Sequence, residues 1–180
     1  EESEAQRPAV RLFAFFLDDY HVRRGNAMRA RTDLADFVRR AIAPQDMVGL
    51  MYPLTPTHDV VMGRNHDAQA RALEQFDGRK YDYVPRNQFE EKYLNSPAIV
   101  VEQIRNQVSL SALKGLIIKL GGLREGRKAL ILVSEGYTNY LPAQLRAPIA
   151  SMPGLGNPRR GNEGVGDNMV EPREGFFTHA

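Results

Sequence analysis

From Arg11 the chain reads RLFAFFL and then breaks at Asp18-Asp19. Leu12 to Leu17 is apolar without period-two alternation, the pattern of a strand covered on both faces of a parallel sheet. After a polar turn through Gly25-Asn26, the residues Leu34, Phe37, Val38, Ala41 and Ile42 recur at helical spacing, with Asn26 or Thr32 as cap and Pro44 beyond the end. Asp46 to Tyr52 (DMVGLMY) predicts a second strand, and Val60 to Met62, beyond Pro53 and Pro56, a short third at an edge. Asn65 predicts the cap of a helix near residues 66–76, anchored by Leu73 and Phe76. Val100, Ile104, Val108, Leu113, Leu116 and Leu120 predict a long helix from Ile99 to about Leu120, closed by Gly121-Gly122. Ala129 to Val133 (ALILV) is a further all-apolar strand, ending at Ser134-Glu135-Gly136.

Strands alternating with helices predict an α/β fold, a mostly parallel sheet with right-handed crossovers that put helices on both faces. Residues 11–140 form that domain, after a polar leader at 1–10. Four strands are few for it, which suggests a domain incomplete at its C-terminus. Residues 77–97 are turn-rich yet carry Tyr81, Tyr83, Phe89 and Tyr93, so an ordered aromatic insertion is expected there. From Leu141 the last 40 residues hold five prolines and six glycines with no period of either kind, and predict a loop or disordered tail.

Composition narrows the function classes. At 180 residues the chain fits one ordinary domain. Lys and Arg number 24 against 22 Asp and Glu, so the +2 surplus does not favour nucleic acid as a partner. No apolar run approaches the ~20 residues of a membrane-spanning helix, and no membrane insertion is expected. Zero cysteines exclude disulfides, thiolate metal sites and thiol catalysis.

The chemistry is concentrated at strand ends. Asp18 and Asp19 follow the first strand, Ser134 and Glu135 the last. Parallel sheets bind ligands beyond the carboxyl ends of their strands, where neighbouring loops part. If those two strands are neighbours, three carboxylates and a hydroxyl converge, the oxygen-rich kind of group that holds a hard cation such as Mg²⁺. Other candidates read as ordinary structure. His58-Asp59 and His66-Asp67 fit a turn and the first turn of a helix, and Arg23, Arg24, Arg29, Arg31, Arg39 and Arg40, interleaved with Asp33 and Asp36, fit a solvated helix face.

FFLDDYHV at 15–22, DMVGLMY, the S-A-L at 111–113 and KALILVSEG at 128–136 resemble the framework of a von Willebrand factor type A domain. They are closest to a bacterial family of exported proteins related to those domains. The resemblance covers residues 10 to 140. It implies a doubly wound, Rossmann-like sheet with a small antiparallel edge strand, a periplasmic or cell-surface location, and a metal-ion-dependent adhesion site at the top of the sheet. The family pattern Asp-x-Ser-x-Ser begins at Asp18, but its serine positions hold Tyr20 and Val22. The later threonine falls at Ser111, or less well at Ser109, and the aspartate of the usual Ser-Asp-Gly turn is Glu135. A degenerate site follows, with Asp18, Ser111 and Glu135 as ligands if Mg²⁺, Mn²⁺ or Ca²⁺ binds.

The functional expectation is a noncatalytic module that binds a protein partner. Its surface would comprise Asp18, Asp19, Tyr20, His21, Ser111, Ser134 and Glu135, with Tyr81, Tyr83, Phe89 and Tyr93 as an accessory patch. The alternative is a metal-dependent phosphoryl-transfer or hydrolytic enzyme using the same carboxylates.

Overall fold

The computed structural model describes residues 10–123 and 126–137. Most of the polar leader and all of the Pro/Gly-rich tail lie outside the described residues. Within them the chain forms two compact units, one of residues 10–82 and 103–137, the other of 83–102.

The first unit is α/β. Strands β1 (Leu12–Leu17), β2 (Met47–Met51) and β3 (Lys128–Val133) make one parallel sheet in the order β2-β1-β3. Leu12 pairs with Met47 on one side and Lys128 on the other, and Leu17 ends opposite Val133. The central position of β1 explains its unbroken apolar run, because both of its faces are covered. Phe15 and Leu17 pack with helix α1 (Arg24–Ala41) and helix α2 (His66–Glu74) through Ala27, Ala35, Val38, Ala70 and Leu73. Ala14 and Phe16 point the other way and meet Leu116 and Leu120 of helix α4 (Ala98–Gly122). Phe15, Phe16 and Leu17 are completely buried, each stabilising the fold by roughly 1.5–3 kcal/mol relative to exposure.

Three boundaries differ from expectation or confirm it for identifiable reasons. Helix α1 starts at Arg24, so Asn26 and Thr32 lie inside it and neither is its cap. Helix α2 is capped as expected, with the Asn65 side chain accepting from the Ala68 N–H at 3.0 Å. Val60 to Met62 is not a strand. Residues Thr57–Asp59 coil into a 3-10 turn whose neighbouring carbonyls, of Thr57 and Val60, accept from Lys119 Nζ of α4 at 3.0 and 2.7 Å. The segment packs against β2 at Gly49 but pairs with it through backbone hydrogen bonds at one isolated antiparallel bridge, Val48 to Gly63.

Helix α4 carries one stripe at i, i+3, i+4 spacing whose character changes along its length. Leu113, Leu116 and Leu120 make it apolar against the sheet, whereas Arg105, Asn106 and Ser109 make it polar one to two turns earlier. That polar stretch meets the carboxyl end of β1.

The second unit contains the short helix α3 (Gln88–Glu91) and the start of α4. Asn87 caps α3 by accepting from the Glu90 N–H at 3.0 Å, and the Glu90 carboxylate accepts from the Arg86 N–H at 2.8 Å, a reciprocal arrangement like a capping box. Phe89 and Tyr93 meet edge to face, with centroids 5.5 Å apart. Among the described residues no helix is long and apolar enough to cross a membrane.

Candidate functional site

The parallel pairing of β1 and β3 brings the acidic strand ends side by side. The Asp18 N–H donates to the Val133 carbonyl at 3.0 Å, and the Glu135 N–H to the His21 carbonyl at 3.0 Å. Period two then separates their side chains. Asp18 continues the parity of Ala14 and Phe16 and turns to the α4 face, whereas Glu135 turns to the α1 face. The carboxylates therefore belong to two different networks.

The Asp18 network is buried at its centre and half-buried at Asn106, Ser134 and Tyr137. Asp18, His21 and Ser109 are each inaccessible to solvent. His21 Nδ1 lies 2.8 and 2.9 Å from the two Asp18 oxygens, Ser109 Oγ donates to Oδ1 at 2.9 Å, and Ser134 Oγ donates to Oδ2 at 3.0 Å. These bonds use the carboxylate's capacity of about four acceptor sites. His21 Nε2 is 2.7 Å from Asn106 Oδ1, so both ring nitrogens face oxygen acceptors as the Asn106 amide is assigned. The Tyr137 ring closes the cluster, edge-on to His21 at 4.6 Å. Burial first, and the Asp18 charge second, push the Tyr137 phenol well above its ordinary value. A chain turn makes this possible, since the 3-10 helix Asp19–His21 folds His21 back onto Asp18, with the His21 N–H donating to the Asp18 carbonyl at 3.0 Å.

Glu135 does a different job. Arg23 precedes α1 in an extended conformation and supplies no side-chain cap. Instead Glu135 Oε1 accepts from the Arg23 N–H at 2.8 Å and from Asn26 Nδ2 at 2.7 Å. Oε2 is 3.0 Å from Arg23 Nε and 3.5 Å from Lys80 Nζ. A carboxylate at the positive end of α1 is thus borrowed from beyond the end of β3. Burial alone raises the Glu135 pKa, but these hydrogen bonds and the charges of Lys80 and Arg23 outweigh it and hold the carboxyl below its ordinary value.

Tyr20 is completely buried, with two guanidiniums over its ring, Arg79 at 5.1 Å and Arg105 at 4.7 Å. Arg105 donates to the carbonyls of Arg79 at 3.2 Å and Asp82 at 2.6 Å, fixing the segment after α2. The Asp19 carbonyl accepts from the Arg79 N–H at 2.7 Å, and its carboxylate is 3.9 Å from Arg79 Nε. Nearby, burial and then the Asp19 charge push the Tyr52 phenol up to about 12.

The ligand set implied by the resemblance does not fit a metal. Asp18 has no free acceptor site, Glu135 is committed to the start of α1, and Ser111 lies on an exposed part of α4. Ser109, two residues earlier on the same helix, is the serine that reaches Asp18. Among the described residues no three His, Cys, Asp or Glu side chains form a group able to hold a metal ion. The aromatic candidates divide as well. Tyr81 belongs to the first unit, at φ 66°, with Lys80 Nζ 5.7 Å from its ring, whereas Tyr83, Phe89 and Tyr93 belong to the second.

Of the residues that build the site, Asn106, Arg79, Arg105, Asn26 and Tyr137 are not found by looking at strand ends. One signal for them exists in the sequence. Arg105, Asn106 and Ser109 occupy the continuation of a core-facing stripe with polar side chains, which buried helices carry only where partners await them. Comparison with protein-family models, with curated proteins and with solved structures finds no match.

Proposed function

We propose that this chain is a noncatalytic recognition module of von Willebrand factor type A kind, with a doubly wound sheet, exported to the periplasm or cell surface, that binds a protein partner at the carboxyl edge of its strands. The observation that carries the reading is the closed state of the Asp18 cluster. Both serine hydroxyls donate to the carboxylate, and His21 is spanned between Asp18 and Asn106, so neither serine is paired with the imidazole. A serine–histidine hydrolase needs the opposite, a hydroxyl donating to an imidazole with an open face toward substrate. The cluster instead acts as a rigid floor that fixes the loops after β1 and β3.

Those loops and the loop after β2 emerge at one edge, since all three strands are parallel. The side chains offered there are Arg23, Arg24 and Leu54, which are 65%, 78% and 40% exposed. Arginine is enriched in protein interfaces, and Arg24 stays exposed although its guanidinium lies 3.6 Å from the Asp77 carboxylate. Phe89 and Val84, both exposed in the second unit, supply an accessory apolar contact.

A photo-crosslinking residue placed at Arg24 or at Leu54, with Gln45 at the opposite edge as control, tests the reading in the native envelope. Expected is one shared adduct from the first two positions and none from the third, with the recovered partner binding the purified chain and losing that affinity to Arg24→Glu. Adducts independent of position, or a hydrolytic activity that disappears in Asp18→Asn, contradict it.

A further inference from the structure

We propose that His21 is a built-in substitute for a metal ion: its ring fills the position against Asp18 that a divalent cation would need, so the strand-end site is assembled without metal, and removing the ring opens a cation site. Asp18, Ser109 and Ser134 place a carboxylate and two hydroxyl oxygens together at the end of β1, the hard-oxygen chemistry that Mg²⁺ and Mn²⁺ take with retained waters. A buried carboxylate in such a place requires a compensating donor group. The ring of His21 provides it, bridging both carboxylate oxygens at 2.8 and 2.9 Å and leaving no room for a further ligand on that side.

The surroundings are arranged around the ring rather than around an ion. Asn106 Oδ1 receives Nε2 at 2.7 Å, an interaction directed by an imidazole's second nitrogen. Tyr137 packs edge-on to the ring. The 3-10 turn that carries His21 places it three residues after the acid, so acid and substitute come from one short segment, Asp18-Asp19-Tyr20-His21. Both are wholly buried, which distinguishes this pair from an adventitious surface contact.

The test uses the full chain, its His21→Gly variant, and His21→Gly combined with Asp18→Asn. Manganese chloride is titrated into each and followed by the electron spin resonance of free Mn²⁺ and by the unfolding temperature. The wild-type chain is expected to bind no Mn²⁺ and to show no shift. His21→Gly should bind one Mn²⁺, be stabilised by it, and be stabilised also by free imidazole in competition with the ion. Both effects should be lost with Asp18→Asn. Stoichiometric Mn²⁺ binding by the wild-type chain that Asp18→Asn removes overturns the proposal. So does a folded His21→Gly that responds to neither ligand. Should that variant not fold, His21→Ala, alone and combined with Asp18→Asn, is titrated in its place with the same expected and overturning results.

Discussion

Asp18 shows how much one buried side chain can organise. Its carboxylate accepts from His21, Ser109 and Ser134, groups that come from three separate parts of the chain. Asp18→Ala leaves a buried imidazole, a buried Ser109 hydroxyl and a half-buried Ser134 hydroxyl without their acceptor, and each unsatisfied buried group costs about 1–3 kcal/mol. The expected loss is therefore roughly 3 kcal/mol or more, read from urea unfolding. Ser109→Ala and Ser134→Ala should each cost less, about 1.5–3 kcal/mol, being single hydrogen bonds to a charged acceptor that keeps its other donors. Losses as large as that of Asp18→Ala from either serine would show that the cluster is not organised around the carboxylate. Ser111→Ala should change nothing, since that side chain is exposed.

At the scale of elements, glycines separate close packing from open helix. Gly78 lies where the chain after α2 crosses the loop after β1, and a Cβ there would meet the backbone of Val22 and Arg23. Backbone cannot swing aside as a flexible side chain does, so Gly78→Ala should destabilise by about 1–3 kcal/mol. Gly25, in the first turn of α1, has open space where a Cβ would stand, with nothing within 4 Å. There Gly25→Ala should stabilise by about 0.5–1 kcal/mol through helix propensity and a less disordered unfolded chain. Thermal and urea unfolding of the two variants check the opposite signs.

The elements also show what a sequence makes legible. β1, β2, α2 and α4 follow from apolar runs and 3.6-residue spacing, because burial of a whole face dominates their energetics; β3 follows from its apolar run although Leu130 and Leu132 are exposed in it. The start of α1 does not, since its cap arrives from Glu135, 112 residues away. Val60 to Met62 has strand composition, but the Val60 carbonyl accepts from Lys119, a tertiary contact that no local pattern encodes. Parallel strands follow from the alternation of elements, but that β1 and β3 are neighbours does not, and comes from their pairing in the structure. That their acidic ends turn to opposite faces follows from parity once the register is known, and register depends on pairing across more than a hundred residues.

Across the whole molecule, two carboxylates tie distant segments together at the two edges of the sheet. Asp46 is buried and would on that account be raised, but hydrogen bonds from the Arg11 guanidinium and N–H and from the Ala43 N–H lower its pKa below the ordinary value, as the contacts of Glu135 do at the other edge. A depressed folded pKa stabilises the protein above the unfolded value, near about 4 for such groups, and that stability is lost as the pH falls through the folded value. Stability should thus decline on acidification from about pH 5. Asp46→Asn and Glu135→Gln should each be less stable than the wild-type chain at neutral pH and show a shallower acid decline, measured by urea unfolding across the range. An unchanged slope would mean that these acids are not the ones holding the edges.

The molecule is organised around an enclosed acid-imidazole pair at the carboxyl edge, and the ring of His21 reports on it directly. Long-range proton–nitrogen correlation spectra of the ¹⁵N-labelled chain at neutral pH should show His21 with a proton on Nδ1, displaced downfield by the Asp18 carboxylate and slow to exchange with water. Nδ1 without a proton, or a ring exchanging freely with solvent, would contradict the buried pairing on which the site rests.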